Sequence, residues 1–138
     1  MLTAARDPDN REALWLSGYN TSSKLYTFFK TLNALRKKVA EKDGQFLTAK
    51  ASYSLPAANT LQITKRGMIS LITNAGQYGA RAQLNLSGAT AGAAMVEALS
   101  CVRATVNRSG KLAVTVEKGA PQVWIPVATL SGSGICQL

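Results

Sequence analysis

Apolar and polar positions divide the chain into two regions with different periods. Between residues 22 and 41, apolar side chains recur every three or four positions, which places them along one side of an α-helix. The apolar positions of this stripe are Leu25, Phe28, Phe29, Leu32, Leu35 and Val39. Residues 20–23 supply side-chain oxygens that can cap the helix start, and Gly44 permits the left-handed turn that ends many helices. The pattern therefore predicts one long amphipathic helix over residues 22–41.

After Gly44, apolar and polar residues alternate in short runs, most clearly in residues 61–64, 84–86 and 112–116. Groups of turn-forming residues, such as 54–56 and 107–110, separate these runs. The predicted strands are 45–49, 59–65, 68–73, 82–86, 95–100, 103–107, 111–117 and 122–127. Short strands at even spacing are typical of an antiparallel β-sandwich. We therefore expect an α+β chain with a border after Gly44, which separates residues 1–44 from residues 45–138.

Composition narrows the chemistry that the chain can perform. The 138 residues are enough for one or two small domains, and 46% hydrophobic residues are enough for a packed core. Histidine is absent from the sequence, which excludes Ser-His-Asp and Cys-His catalysis as well as His-ligated metals. Two cysteines alone cannot form a zinc site, so we expect no metal site in this chain. The acidic residues are Asp7, Asp9, Glu12, Glu41, Asp43, Glu97 and Glu117.

The formal net charge of +9 is compatible with a polyanionic partner, but the distribution of charge does not favour one. The one tight basic cluster, residues 36–38, lies near the predicted end of the helix, where cations interact favourably with the helix dipole. Aromatic residues are few and are not interleaved with it, so a nucleic-acid-binding module is the least favoured alternative. No run approaches the roughly 20 apolar residues of a membrane span, and the first residues become polar too early for a signal peptide. We therefore expect no nucleic acid and no membrane as partners.

Cysteines and glycosylation sequons point towards a secretory origin. Cys101 and Cys136 are 35 positions apart, and a disulfide between them would tie the C-terminus to the predicted sandwich. Two unrelated buried thiols are the alternative, and the spacing alone does not decide between them. Three asparagines, Asn20, Asn85 and Asn107, stand in N-glycosylation sequons. Asn107 is the most credible acceptor because it lies in a predicted turn.

The N-terminal segment carries a family resemblance. Residues 7–19, Asp-Pro-Asp-Asn-Arg-Glu-Ala-Leu-Trp-Leu-Ser-Gly-Tyr, resemble the D-P-x-N-R-E-x-x-W-x-S-G-Y stretch of secreted fungal α-amylases of glycoside hydrolase family 13. Similar family motifs follow in the helix, at residues 84–88 and at residues 119–121, and Cys136 stands near the end as in the family. In that family the stretch follows the last strand of a (β/α)8 barrel, and a helix and a Greek-key sandwich come next. The resemblance implies that residues 1–44 are the closing segment of a barrel and that Cys101 pairs with Cys136.

The resemblance also implies a function for the parent protein, the hydrolysis of α-1,4-glucans such as starch by a retaining mechanism. The family's catalytic carboxylates and calcium ligands lie in earlier barrel segments, so we expect this fragment to bind no cofactor and to be inactive alone. Asp7 and Arg11 fall on family positions that contact sugar units, although a local ion pair would also explain them. The parent family is extracellular. The alternatives are a non-catalytic carbohydrate-binding or structural sandwich and a fragment of an α-glucan transferase of the same family.

A helix stripe without its barrel has a further consequence. The aromatic and aliphatic side chains of the stripe would be exposed in the fragment, and exposed apolar patches promote association. We therefore expect self-association through the helix face.

Overall fold

A computed structural model describes residues 14–138 of the chain. A short 3-10 helix, Leu14–Ser17, precedes the long helix α1, Lys24–Lys42. The eight strands that follow are β1 Ser52–Ala57, β2 Thr60–Lys65, β3 Met68–Thr73, β4 Ala82–Leu86, β5 Ala94–Glu97, β6 Arg103–Thr105, β7 Leu112–Val116 and β8 Gln122–Pro126. A one-turn helix, α2 Val127–Leu130, and a 3-10 helix, Ile135–Gln137, complete the chain. No helix in this part of the chain combines the length and the apolar character that crossing a membrane requires.

Helix α1 confirms the predicted helix, and a serine caps its start. The Ser23 hydroxyl accepts a hydrogen bond from the Tyr26 N–H at 3.2 Å, as an N-cap residue does. The apolar stripe is not uniform along the helix. Leu35 and Val39, in the C-terminal half, are buried, whereas Leu25 and Phe29 are 65% and 54% exposed.

The predicted strand 45–49 is wrong, because this segment forms successive turns. The N–H of Phe46 donates to the carbonyl of Asp43 at 2.9 Å, and the N–H of Ala49 donates to the carbonyl of Gln45 at 2.9 Å. The backbone groups that a strand would offer to a neighbour are thus used locally. Phe46, within these turns, is buried.

The first strand of the sheet is instead β1, in a segment that the sequence marked partly as a turn. β1 contains Pro56, and proline cannot donate a ladder hydrogen bond. The strand tolerates it because β1 lies at the edge of its sheet and pairs with β2 alone, with an irregularity between Ser54 and Ala57.

The strands form an antiparallel two-layer arrangement, as predicted. The larger sheet has the order β1-β2-β3-β8-β5-β6, and the smaller one pairs β4 with β7. β8 therefore lies between β3 and β5, which are distant from it in sequence, and the chain crosses repeatedly between the two sheets. The principal core consists of Ile69, Leu71, Leu84, Leu86, Met95, Val106, Leu112, Val114, Val116 and Trp124.

The central strands of the larger sheet are covered on both faces. Val123, Trp124 and Ile125 are consecutive residues of β8 and all three are buried, although successive strand residues point to opposite faces. Trp124 belongs to the core shared with the smaller sheet. On the other face, α2 packs against β5 and β8, and its Leu130 is fully buried.

Contacts divide the chain into two compact units, and the border lies between Asn33 and Ala34, inside α1. The C-terminal half of α1 thus belongs to the same unit as the strands. The border after Gly44 that the sequence suggested between two domains stays a prediction.

Candidate functional site

The two predicted sugar-contacting residues, Asp7 and Arg11, lie outside the described residues. Their role in substrate binding therefore stays a prediction. The candidate chemistry within residues 14–138 is found in the sandwich, where polar and charged side chains meet at one cleft.

This cleft lies between β6, at the edge of the larger sheet, and the smaller sheet. Its volume is about 610 Å³. The polar side chains along it include Arg81, Gln83, Ser100, Arg103, Thr115 and Glu117, and Val102, Ala113 and Pro121 supply apolar surface. The smaller sheet forms one wall of the cleft. Buried and exposed residues alternate along β4 and β7, so that the buried apolar residues face the core while Gln83 and Thr115 face outward.

Two carboxylates, Glu97 and Glu117, line the cleft, and Glu97 is bound to the protein itself. Glu97 is 3% exposed. Its Oε1 accepts the N–H of Val123 at 2.8 Å. Its Oε2 accepts the N–H of Leu99 at 3.2 Å, and also the N–H and hydroxyl of Ser100 at 2.7 and 2.6 Å. Four donors on one carboxylate satisfy a buried charge, so Glu97 fastens the turn after β5 to β8.

Glu117 has a different environment. Its side chain is 57% exposed and lies 4.0 Å from the guanidinium of Arg81, which is 68% exposed. An ion pair so open to water contributes little to stability. Hydrolysis of a glycosidic bond requires two available carboxyl groups on either side of the bond. Since both oxygens of Glu97 are engaged with donors from the protein, this pair does not provide them.

A short hydrogen-bond chain holds the floor of the cleft. The indole N–H of Trp124 donates to the side-chain oxygen of Gln122 at 2.9 Å. The side-chain amide of Gln122 in turn donates to the carbonyl of Thr115 at 2.7 Å. These two hydrogen bonds connect β8 of the larger sheet to β7 of the smaller one, so they hold the two layers together at the cleft.

An ion pair ties the segment after α1 to the turn between β2 and β3. The Arg66 Nη2 donates to Asp43 Oδ1 at 3.1 Å, and Arg66 Nε donates to Oδ2 of the same carboxylate. This bidentate hydrogen bonding to Arg66 lowers the pKa of Asp43 below its usual value of 3.8. The ion pair connects elements that are distant in sequence, and no sequence motif predicted it.

Cys101 and Cys136 form the disulfide that the family resemblance implied, with their Cα atoms 5.2 Å apart. The bond joins the turn after β5 to the last 3-10 helix. It lies next to the turn that Glu97 holds, so covalent and hydrogen-bonded restraints act on the same segment.

The three sequon asparagines are all exposed, at positions where a glycan would meet solvent. Asn107 lies in the turn between β6 and β7, and its side-chain oxygen accepts the N–H of Ser109 at 3.0 Å and the hydroxyl of Ser109 at 2.9 Å. Asn85 lies on β4, and Asn20 precedes α1. Glycosylation of these residues stays a prediction.

Within residues 14–138, no three side chains of histidine, cysteine, aspartate or glutamate lie close enough together to hold a metal ion.

Comparison with known proteins identifies the sandwich. The family model described as Alpha-amylase, domain C matches residues 49–138. Alpha-amylase 1 of Schwanniomyces occidentalis is 37% identical over 141 residues, which cover 98% of this chain and 27% of the relative. The alpha-amylase of Saccharomycopsis fibuligera is 32% identical over 126 residues, which cover 91% of this chain and 25% of the relative.

A solved structure agrees with this assignment. The structure of an alpha-amylase from Malbranchea cinnamomea superposes with a TM-score of 0.89 at 32% identity, and the match covers 95% of this chain and 28% of that one. The chain thus spans about a quarter of the length of the relatives it matches. This chain belongs to the alpha-amylase family and contains its domain C.

Proposed function

We propose that this chain is the non-catalytic C-terminal part of an α-amylase-type glycoside hydrolase that acts on α-1,4-glucans. The observation that supports this most strongly is the domain C match over residues 49–138, in a chain that spans about a quarter of its relatives. Substrate, activity and extracellular location are proposed here for the parent enzyme, as are the sugar contacts of Asp7 and Arg11 and a glycan on Asn107.

The carboxylates of the described residues support a non-catalytic role. Asp43 is paired with Arg66, and Glu97 accepts four hydrogen bonds from the protein. Glu41 lies on the exposed side of α1, and Glu117 lies at the mouth of the cleft beside Arg81. A retaining glycosidase needs a nucleophile and an acid/base about 5–5.5 Å apart, and no two of these four groups have the environment for those roles.

The contribution of the chain to the parent enzyme is then structural. Buried Leu35, Val39 and Phe46, together with the Asp43–Arg66 pair, fasten the end of α1 and the following turns within the sandwich unit. In the parent enzyme, we propose that the N-terminal half of α1 continues a barrel, so the sandwich supports the last barrel helix at its C-terminal end.

Incubation of the purified chain with soluble starch, followed by an assay of reducing ends, tests the proposal. We expect no release of reducing ends above a buffer control. Turnover that disappears with a glycosidase inhibitor and persists after repeated purification would contradict it.

A further inference from the structure

Antiparallel pairing determines which turns of the sandwich lie at the same end. Ser52 at the start of β1 pairs with Thr64 near the end of β2, so the start of β1 and the β2–β3 turn share one end of the larger sheet. The end of β4 is also there, because a Cβ on Gly88 would lie 2.7 Å from the Thr64 side chain. Elements that are far apart in sequence therefore meet around the β2–β3 turn.

Three lysines come to this end from α1 and the larger sheet. Lys65 is the last residue of β2, and Lys50 precedes β1 by two positions. Lys42 ends α1, and the next residue, Asp43, pairs with Arg66 of the β2–β3 turn. The fold thus assembles positive charges that are separated along the sequence.

The smaller sheet adds a fourth lysine. Lys111, directly before β7, donates from its ammonium group to the hydroxyl of Ser87 at 2.6 Å. The carbonyl of Ser87 accepts the side-chain amide of Gln62, on β2, at 2.8 Å, so Lys111 lies beside the end of the larger sheet that carries the other three. We call this group the basic end, which consists of Lys42, Lys50, Lys65 and Lys111.

The opposite end of the sandwich, where the loop after β3 meets the β7–β8 turn, has a nearly balanced charge. The charged residues there are Arg81, Arg103, Lys118, Glu97 and Glu117, and all of them except Lys118 line the 610 Å³ cleft. The net charge of the sandwich is therefore distributed unevenly between its two ends.

The charges of the basic end are not neutralised by the protein. Among residues 14–138, no carboxylate lies within ion-pair distance of these four lysines, and Asp43 is engaged with Arg66. The Lys65 ammonium lies 4.9 Å from the centroid of the Phe46 ring, which stabilises the cation without removing its charge. Lys111 has only the neutral hydroxyl of Ser87 as its partner. These charges are therefore available to a polyanion, and a cluster of one sign raises its local concentration.

The β2–β3 turn fixes the basic end. Arg66 and Gly67 both have a positive φ, of 51° and 79°, as in the two-residue turns that favour Asn-Gly. An arginine is strained in this conformation, and its two hydrogen bonds to Asp43 hold it there. The same bonds fasten the end of α1 to the turn, so Lys42 and Lys65 are carried by elements that are fixed relative to each other.

The neighbours of these lysines favour one class of polyanion. Phe46, the aromatic ring that lies against Lys65, is 4% exposed, so it offers no face on which a nucleic-acid base could stack. Between α1 and β1, Leu47 is the single large apolar side chain that is exposed, which is too little for insertion into a lipid surface. A polysaccharide with carboxylate groups requires neither stacking nor insertion.

We propose that the basic end is a docking surface for a polysaccharide that carries carboxylate groups. The ammonium groups of Lys42, Lys50, Lys65 and Lys111 bind carboxylates along the polymer, so the affinity depends on charge and decreases with salt. An extracellular setting for such a polymer rests on the proposed function. The surface itself follows from the strand register and the hydrogen bonds that bring the four lysines together.

Isothermal titration of the full chain with oligogalacturonate tests the surface. We expect a dissociation constant of roughly 100 μM in 50 mM salt, and an affinity at least about tenfold lower in 200 mM salt. The methyl ester of the same oligosaccharide has no charge and should not bind. The triple variant Lys42→Gln, Lys50→Gln, Lys111→Gln should bind at least about tenfold more weakly, with a smaller salt dependence.

The matched control is the triple variant Arg81→Gln, Arg103→Gln, Lys118→Gln, which removes the same number of positive charges from the opposite end. It should retain affinity within about threefold of the unsubstituted chain, because only the total charge changes. Near-ultraviolet circular dichroism establishes that each variant is folded. The single variants Lys50→Gln and Lys118→Gln give the same comparison if a triple variant does not fold.

Four results would overturn the proposal: no binding of oligogalacturonate by the folded chain in 50 mM salt up to about 1 mM, equal losses for variants at the two ends, equal binding of the methyl ester, or tighter binding of another polyanion. For the last comparison, the probes are an oligothymidylate of equal charge and phosphatidylcholine vesicles with about 20% phosphatidylserine.

These titrations are independent of the starch assay. A chain that does not bind oligogalacturonate and does not cleave starch would contradict this inference and leave the proposed function standing. A chain that binds oligogalacturonate through the basic end and also cleaves starch would contradict the proposed function and support this surface.

Discussion

At the scale of single residues, the buried carboxylate of Glu97 organises the sandwich. Its side chain comes from β5, whereas one of its donors, the N–H of Val123, belongs to β8, 26 positions later. The local pattern assigns Glu97 no role, because glutamate is usually a surface residue. Its partners are brought to it by the strand order, in which β8 lies beside β5.

Glu97→Gln should destabilise the chain by about 2 kcal/mol, because the amide NH2 group cannot accept the hydrogen bonds that one carboxylate oxygen accepted. Urea unfolding followed by tryptophan fluorescence measures the change. Glu117→Gln is the control, since Glu117 is exposed, and we expect it to alter the free energy of unfolding by less than about 0.5 kcal/mol. Equal effects of the two substitutions would show that Glu97 is not a structural anchor.

The ionisation of Asp43 makes the stability of the folded chain depend on pH. Arg66 lowers the pKa of Asp43 in the folded chain, so the pair stabilises the fold above the usual aspartate pKa. This stabilisation is lost as the pH falls below 3.8 and through the lower folded value. Asp43→Asn should therefore lower the urea midpoint at pH 7, and its difference from the unsubstituted chain should shrink towards about pH 3.

The matched control for Asp43 is Glu41→Gln, at an exposed position of α1. We expect this variant to follow the unsubstituted chain at every pH. An Asp43→Asn deficit that stays constant between pH 7 and about pH 3 would contradict the role of the ion pair.

At the scale of elements, the sequence predicted what local periodicity determines. Helix α1 and the seven strands β2 to β8 follow from spacings of three to four and of two residues. Prediction from local periodicity failed at residues 45–49 and at β1, for related reasons. Phe46 is buried by tertiary packing although it lies in a turn, and Pro56 is tolerated because β1 is an edge strand. Neither environment is visible in a local pattern.

Helix α1 carries a prediction about association. Leu25 and Phe29 are 65% and 54% exposed in its N-terminal half, and an apolar face of this kind favours contact with another surface. The chain alone should therefore self-associate, and its molar mass by light scattering should rise with concentration. Leu25→Glu combined with Phe29→Glu should give a monomer.

The control for this prediction is Tyr53→Glu combined with Leu55→Glu, which charges another exposed apolar pair, on β1. This variant should still associate. A monodisperse monomer of the unsubstituted chain at all concentrations, or equal dissociation by both pairs, would refute association through α1.

At the scale of the whole molecule, residues 49–138 match domain C of the alpha-amylase family. The chain spans about a quarter of its relatives, and the acidic side chains of its described part are paired, bound to the backbone or isolated. The alternation after Gly44 predicted the sandwich, and the family resemblance, which extends to Cys136, implied the disulfide. The resemblance could not reveal the close approach of the loop after β3 to the turn between β7 and β8, because Gly76 and Gly119 meet only in the folded chain.

The central claim is that this chain is a non-catalytic domain C which completes an α-amylase, and a chimera tests it most directly. In Alpha-amylase 1 of Schwanniomyces occidentalis, the 141-residue segment that matches is replaced by this chain, and starch hydrolysis is compared with that of the intact enzyme and of the enzyme without the segment. The account predicts an active chimera, an inactive truncated enzyme and an inactive isolated chain. A chimera that folds but does not hydrolyse starch, or an isolated chain that does, would contradict it.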